Sequence, residues 1–98
     1  MRVIAKRTLK EFWSLYHDSE LPLIEWHMIV SKSSWQNPNE VKEVFPSVDF
    51  VGNNRAVFNI YHNKYRLVVV FRYQIQMVYI RFIGTHKDYD SISNIKEI

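Results

Sequence analysis

The hydrophobic period of this chain changes at Pro46, and no other feature restricts the fold as strongly. Upstream, Leu9, Phe12, Trp13 and Tyr16 fall at i, i+3, i+4 and i+7, so one helical face carries four large apolar groups. Thr8 followed by Glu11 reads as a capping box at the start of that helix. Leu23, Trp26, His27 and Val30 repeat the spacing in a second helix, with Asp18 or Ser19 as its cap, Pro22 in its first turn and an end near Ser33. Asn37-Pro38-Asn39 breaks the chain, and Val41, Val44 and Phe45 predict a short third helix that Pro46 stops.

Downstream the period becomes two, and Val, Ile, Phe and Tyr become dense, which is the signature of strands. Gly52-Asn53-Asn54 and His62-Asn63 are the turns. Between them Ala56, Phe58 and Ile60 point one way and Arg55, Val57 and Asn59 the other. The run Leu67 to Phe71 within the next strand, Lys64 to Arg72, is apolar on both faces and predicts a central position in the sheet. A strand from Ile75 to Ile83 follows a turn at Tyr73-Gln74, and Arg2 to Ala5 reads as one more short strand. If Tyr65, Leu67, Val69 and Phe71 face the helices, Arg66 and Arg72 face away, beside Arg55. Arg81 joins that open face if Tyr79 and Ile83 also point outward. The class is α+β. With 98 residues, 47% of them hydrophobic, and no linker or repeat, residues 1–98 are expected to form one domain around one core.

The position of the charge matters more than its total of +3. Residues 1–49 carry six basic and seven acidic groups, and residues 88–98 one basic and three acidic. Residues 50–87 hold Arg55, Lys64, Arg66, Arg72, Arg81 and Lys87 with no Asp or Glu at all. Arginines interleaved with aromatics on a sheet face suit RNA, because guanidinium groups pair with phosphates and rings stack on bases. The same alternation would also keep an ordinary strand face wet. It is the missing acids that favour an anionic ligand.

His86 stands between Gly84-Thr85 and Lys87-Asp88-Tyr89, so an imidazole, a carboxylate and a phenol share one short segment at a strand end. Metal-free RNA cleavage needs a base for the 2′-hydroxyl, an acid for the departing 5′-oxygen and cations for the pentacoordinate phosphorane. Histidine, tyrosine, lysine and arginine supply all three. His17 and His27 lie on helices beside core positions and read as packed or surface residues, and His62 reads as a turn residue. No histidine or carboxylate spacing suggests a metal site, cysteine is absent, and two glycines are too few for a phosphate loop, so no metal or cofactor is expected. No apolar run resembles a signal peptide or a membrane span, and the expected location is the cytoplasm.

The segments IAKRTLKEFW (Ile4 to Trp13), GNNRAVFNI (Gly52 to Ile60), NKYRLVV (Asn63 to Val69) and VYIRFIGTHKDYD (Val78 to Asp90) together resemble the HigB-type toxins of bacterial type II toxin-antitoxin systems, members of the RelE-like superfamily. The resemblance runs in order along nearly the whole chain. It implies a RelE-like fold, with two to three N-terminal helices on one face of a mostly antiparallel sheet of about four to five strands and RNA on the other. It also implies mRNA endoribonuclease activity at the ribosome, and a HigA-type antitoxin whose helix-turn-helix domain carries any binding to operator DNA.

By resemblance Arg66, in the Tyr-Arg-Leu strand, matches the arginine that contacts the scissile phosphate. His86 matches a catalytic position just past the last strand, where some relatives carry arginine, and Tyr89 resembles a C-terminal tyrosine of some relatives at shorter spacing. The lysine pair of some superfamily members is replaced near Val57 and Asn59, which leaves Lys64 as the second cation at the phosphorane. The expected catalytic set is Arg66, His86, Tyr89 and Lys64, and the expected RNA-binding set is Arg55, Asn59, Arg81, Lys87 and Arg72. Two other readings remain open: an RNA- or ribosome-binding inhibitor of translation that does not cut, and a decayed toxin that only binds antitoxin and modulates operator binding.

Overall fold

In the computed structural model, which describes residues 1–98, the two periodicities become two layers. The helical layer holds α1 (Lys6–Leu15), α2 (Glu20–Ser31) and α3 (Pro38–Val44). The sheet holds β1 (Arg2–Ile4), β2 (Asp49–Gly52), β3 (Arg55–Ile60), β4 (Tyr65–Arg72) and β5 (Met77–Thr85), in the order β1-β5-β4-β3-β2. All neighbours are antiparallel except β1, which runs parallel to β5 along the edge. A short α4 (His86–Asp90) follows β5, and a 3-10 turn at Ile95–Glu97 ends the chain.

The alternation from Pro46 onward decides which side chains enter the core. Ala56, Phe58 and Ile60 of β3 and Tyr65, Leu67, Val69 and Phe71 of β4 are buried against Leu9, Leu23, Trp26, Val30 and Val41 of the helices. Phe58 lies at the centre of an aromatic cluster, with its ring centroid 5.5 Å from Trp26, 5.1 Å from Phe45 and 6.3 Å from Phe71. Edge-to-face pairs at these spacings stabilise the core beyond the burial of their area. As its apolar run requires, β4 is central, and Leu67 to Phe71 are all buried.

The helix starts differ from the sequence pattern. Thr8 does not cap α1, which begins at Lys6 directly after Ala5, and Glu11 pairs with Arg7 at 3.0 Å. Because β1 ends at Ile4, opposite Tyr79, its docking on β5 fixes where the helix can begin. Local capping propensity is the weaker constraint. At α2 the Ser19 hydroxyl donates to the Tyr16 carbonyl instead of capping, and the helix ends at Ser31. Asn37 does cap α3, accepting from the Glu40 N–H at 3.1 Å.

A bulge decides the face of Arg81. Val68 pairs with Phe82 but Val69 pairs with Ile80, so Arg81 is the extra residue on β5. Tyr79 and Arg81 therefore line the same cleft on the open side, while Ile83 packs against the core. The condition that Ile83 point outward if Arg81 does is lifted by this one-residue slip, which places Arg81 on the open face without Ile83. The face away from the helices is also partly covered, and Val57, Val68 and Val70 on it are buried. The C-terminal segment crosses it: α4 packs on β4 and β5, and the Asn53 amide and Arg55 guanidinium donate to the main-chain oxygens of Lys96 and Ile98 at 3.3 and 2.8 Å.

Candidate active site

Arg66 sits on β4 between two core residues, Tyr65 and Leu67, so strand alternation sends it to the open face. Across the sheet it is flanked by Asn59 of β3 and Gly84 of β5. Its Nη1 donates to the Asn63 carbonyl at 3.1 Å, which holds the guanidinium near the β3–β4 turn, and no carboxylate pairs with it. Gly84 has a packing reason to lack a side chain. A Cβ there would lie 2.5 Å from Cζ of Phe82, whose ring folds back over the glycine beside Arg66.

The strand-to-helix junction supplies the titratable groups. Thr85 caps α4, its hydroxyl oxygen accepting from the Asp88 N–H at 3.1 Å. The His86 N–H donates to the Lys64 carbonyl at 3.3 Å, extending the β4–β5 ladder by one bond. His86 Nδ1 lies 2.9 Å from an Asp90 carboxylate oxygen, one helical turn later, and both side chains are exposed. With Nδ1 engaged by the carboxylate, Nε2 is the nitrogen free to accept a proton.

One turn into α4, the Tyr89 ring centroid is 6.0 Å from Cζ of Arg66 and 6.5 Å from the Phe82 ring. Partial burial pushes the Tyr89 phenol above its usual range, and the charge of Asp49 adds to this while Arg66 opposes it. The phenol is therefore protonated across physiological pH and is a donor, as a general acid must be.

Lys64 takes a different direction from Arg66. Its ammonium binds the Asp18 carboxylate, and the Tyr65 hydroxyl donates to the other Asp18 oxygen at 2.5 Å. Hydrogen bonds from Lys64 and Tyr65 hold the Asp18 carboxyl below its ordinary value of 3.8, and the bond to Asp18 raises the Lys64 ammonium. This cluster ties β4 to the turn before α2. A carboxylate with a depressed folded-state pKa stabilises the fold above its unfolded value, and that contribution is lost as the pH falls through the folded value. Asp18→Asn is thus expected to lower the thermal midpoint at neutral pH, and the gap to wild type is expected to shrink below pH 3.8. Circular dichroism melts of both chains across that window check it. A gap that stays constant with pH would show that the Asp18 charge does not stabilise the fold.

The structure brings Arg66, Asn59, Tyr89 and Phe82 together, with His86 at the margin of the group. The remaining basic residues lie elsewhere. Lys87 is on the exposed side of α4, and Arg55, Arg72 and Arg81 line a separate cleft toward the other end of the sheet. Asp18, Asp90 and Phe82 are not singled out by sequence as site residues. For Asp90 and Phe82 a signal exists, the i, i+4 spacing from His86 and the i, i+2 relation to Gly84. Asp18 stands 46 residues from Lys64 and carries no local signal.

The HigB toxin family, described as the RelE-like toxic component of a toxin-antitoxin system, matches residues 19–92. The mRNA interferase toxin HigB of Escherichia coli (strain K12) is 32% identical over 92 residues, covering 92% of this chain and 88% of that protein. The mRNA interferases HigB of Escherichia coli O157:H7 and of Shigella flexneri are similar at the same identity and coverage. No helix is long and apolar enough to cross a membrane.

Proposed function

Because this chain belongs to the HigB family of RelE-like toxins, an mRNA endoribonuclease partnered by an antitoxin, we propose that cleavage takes place at the end of the open sheet face where Arg66, Tyr89 and His86 meet. The observation that carries this reading is the 6.0 Å approach of the Arg66 guanidinium to the Tyr89 ring, with the His86 backbone joined to the end of the same strand. Arg66 receives the scissile phosphate and stabilises the charge that develops on it. His86 Nε2 takes the 2′-hydroxyl proton, the 2′-oxygen bonds to phosphorus, and the phosphorus–5′-oxygen bond breaks. Tyr89 gives its proton to the departing 5′-oxygen. The products are a 2′,3′-cyclic phosphate and a 5′-hydroxyl end.

Lys64, neutralised by Asp18, anchors this end of β4 and is not the second cation at the phosphorane, while Asn59 and Lys87 contact the strand on either side. Phe82 offers a ring face to a neighbouring base. The reading extends to residues 1–98 acting as one toxin domain, in the cytoplasm and on translated mRNA at the ribosome. Its antitoxin is of the HigA type, and operator DNA is reached only through that partner.

Induction of the chain in a bacterial host, with mapping of new 5′ ends on translated messages, tests the assignment. Wild type is expected to generate new ends, and His86→Ala to reduce them by about 10²-fold, the scale of a lost general base. Equal cleavage by the two chains would dismiss His86. Growth arrest without new ends would favour inhibition of translation by binding alone.

A further inference from the structure

Arg55 from β3, Arg72 from the end of β4 and Arg81 from the β5 bulge converge on a cleft of about 340 Å³ whose other walls are Val70, Ile75 and Tyr79. No Asp or Glu side chain lines it, and none of the three side-chain ion pairs involves these arginines. Arg72 and Arg81 are exposed and make no side-chain hydrogen bond to the protein, while the Nε of Arg55 is buried without any acceptor. Three guanidinium charges around one apolar floor repel one another, and an orphaned buried donor costs free energy. A single anionic group with several oxygens, bound in the cleft, relieves the repulsion. The place already accepts an oxygen, because Arg55 Nη2 donates to the Ile98 main-chain oxygen at 2.8 Å. Val70, Ile75 and the ring of Tyr79 supply the apolar contact that a base needs and that inorganic phosphate does not.

Position sets the cleft apart from the site at Arg66. Val70 is four residues along β4 from Arg66, or about 13 Å at the usual rise of a strand. One phosphate does not span that distance. A second concavity borders the cleft, with Arg72 and Ile75 lining both.

We propose that the cleft between Arg55, Arg72 and Arg81 is a second phosphate-ester site, holding an RNA nucleotide remote from the scissile bond while Arg66 holds the phosphate that is cut. The inference rests on the assignment of cleavage to the Arg66 end. Its consequence is a length requirement: a dinucleotide has one linking phosphate and occupies one position, whereas a longer strand bridges both and gains affinity. The Ile98 oxygen yields its place on Arg55 to the incoming phosphate.

The test measures binding of the full chain to two RNAs made uncleavable by 2′-O-methylation, a dinucleotide and a longer single strand, by fluorescence anisotropy over a range of salt. In wild type the longer strand is expected to bind more tightly, and in Arg72→Gln/Arg81→Gln the ratio of the two affinities is expected to fall by about tenfold. The salt dependence for the longer strand is expected to fall by about 0.7, one phosphate contact. An unchanged ratio, or an equal loss for both RNAs, overturns the second site. A mononucleotide that binds wild type as tightly as the longer strand, with the same loss in the double variant, assigns the cleft to free nucleotides and overturns the RNA form of the proposal. So does a loss of affinity for the antitoxin with RNA binding intact. Arg66→Ala read alongside separates the premise: full dinucleotide affinity in that variant sinks the Arg66 assignment, whatever the ratio shows for the cleft.

Discussion

Arg66→Ala is expected to slow mRNA cleavage by about 10² to 10³-fold, the usual cost of removing one donor aimed at charge that develops in the transition state. The fold is expected to survive. Arg66 is partly exposed, its hydrogen bonds run only to the neighbouring carbonyls of Asn63 and Tyr65, and it has no carboxylate partner to strand. The loss is large because nothing nearby replaces the contact. Lys64 is close along the chain, but its ammonium is engaged by Asp18 on the helical side of β4. Arg66→Lys is expected to recover only part of the rate, since an ammonium lacks the planar fork that meets two phosphate oxygens at once. Single-turnover cleavage of a defined message, with a circular dichroism melt of each variant, checks both. Wild-type cleavage by a folded Arg66→Ala chain would move the reaction away from this end of the sheet.

Phe58→Ala is expected to destabilise the protein by about 3 to 5 kcal/mol, the range for deleting a fully packed aromatic ring. The ring touches three others, from α2, from the segment after α3 and from β4, so its removal opens a cavity where the two layers meet. A domain of this size holds a net stability of only about 5 to 15 kcal/mol. The thermal midpoint is therefore expected to fall by more than about 12 °C, using the usual 4 °C or more per kcal/mol for small domains. Cleavage would weaken with it, because the Arg66 end needs the assembled sheet. A melt that shifts by only a few degrees would mean that Trp26, Phe45 and Phe71 close over the gap.

Phe58 and Arg66 differ in how far the sequence announces them. Phe58 was legible as a core residue from alternation alone: Ala56, Phe58 and Ile60 share a face in the sequence pattern and share it in the fold. The apolar run Leu67 to Phe71 likewise announced the central strand, and the break at Asn37-Pro38-Asn39 announced a boundary there. Thr8 shows where such local signals fail. Its capping box is intact in sequence, yet the helix starts earlier because β1 must dock on β5 first. One capping hydrogen bond gives way to the pairing of a whole strand, which fixes several backbone bonds at once.

The site was legible as a composition and not as an arrangement. Thirty-eight residues without an acid, from 50 to 87, marked the strands as facing an anion, and resemblance singled out Arg66, His86 and Tyr89. Which cations act together depended on contacts that no spacing encodes. Asp18 draws Lys64 toward the helices across 46 residues, and Asp49, distant in sequence, helps to keep the Tyr89 phenol protonated. The bulge at Arg81 turns that side chain toward Arg55 and Arg72 while Ile83 returns to the core.

By itself, then, the sequence determined the layers, the buried faces of β3 and β4 and the sign of the charge on the other face. Those follow from periodicity and composition, which act over a few neighbouring residues. Only the tertiary structure decided how the positive groups divide into an Arg66 end, a Lys64–Asp18 anchor and a three-arginine cleft. Coulomb attraction and hydrogen bonding act through space over a few ångströms, between residues that only the closed sheet brings together.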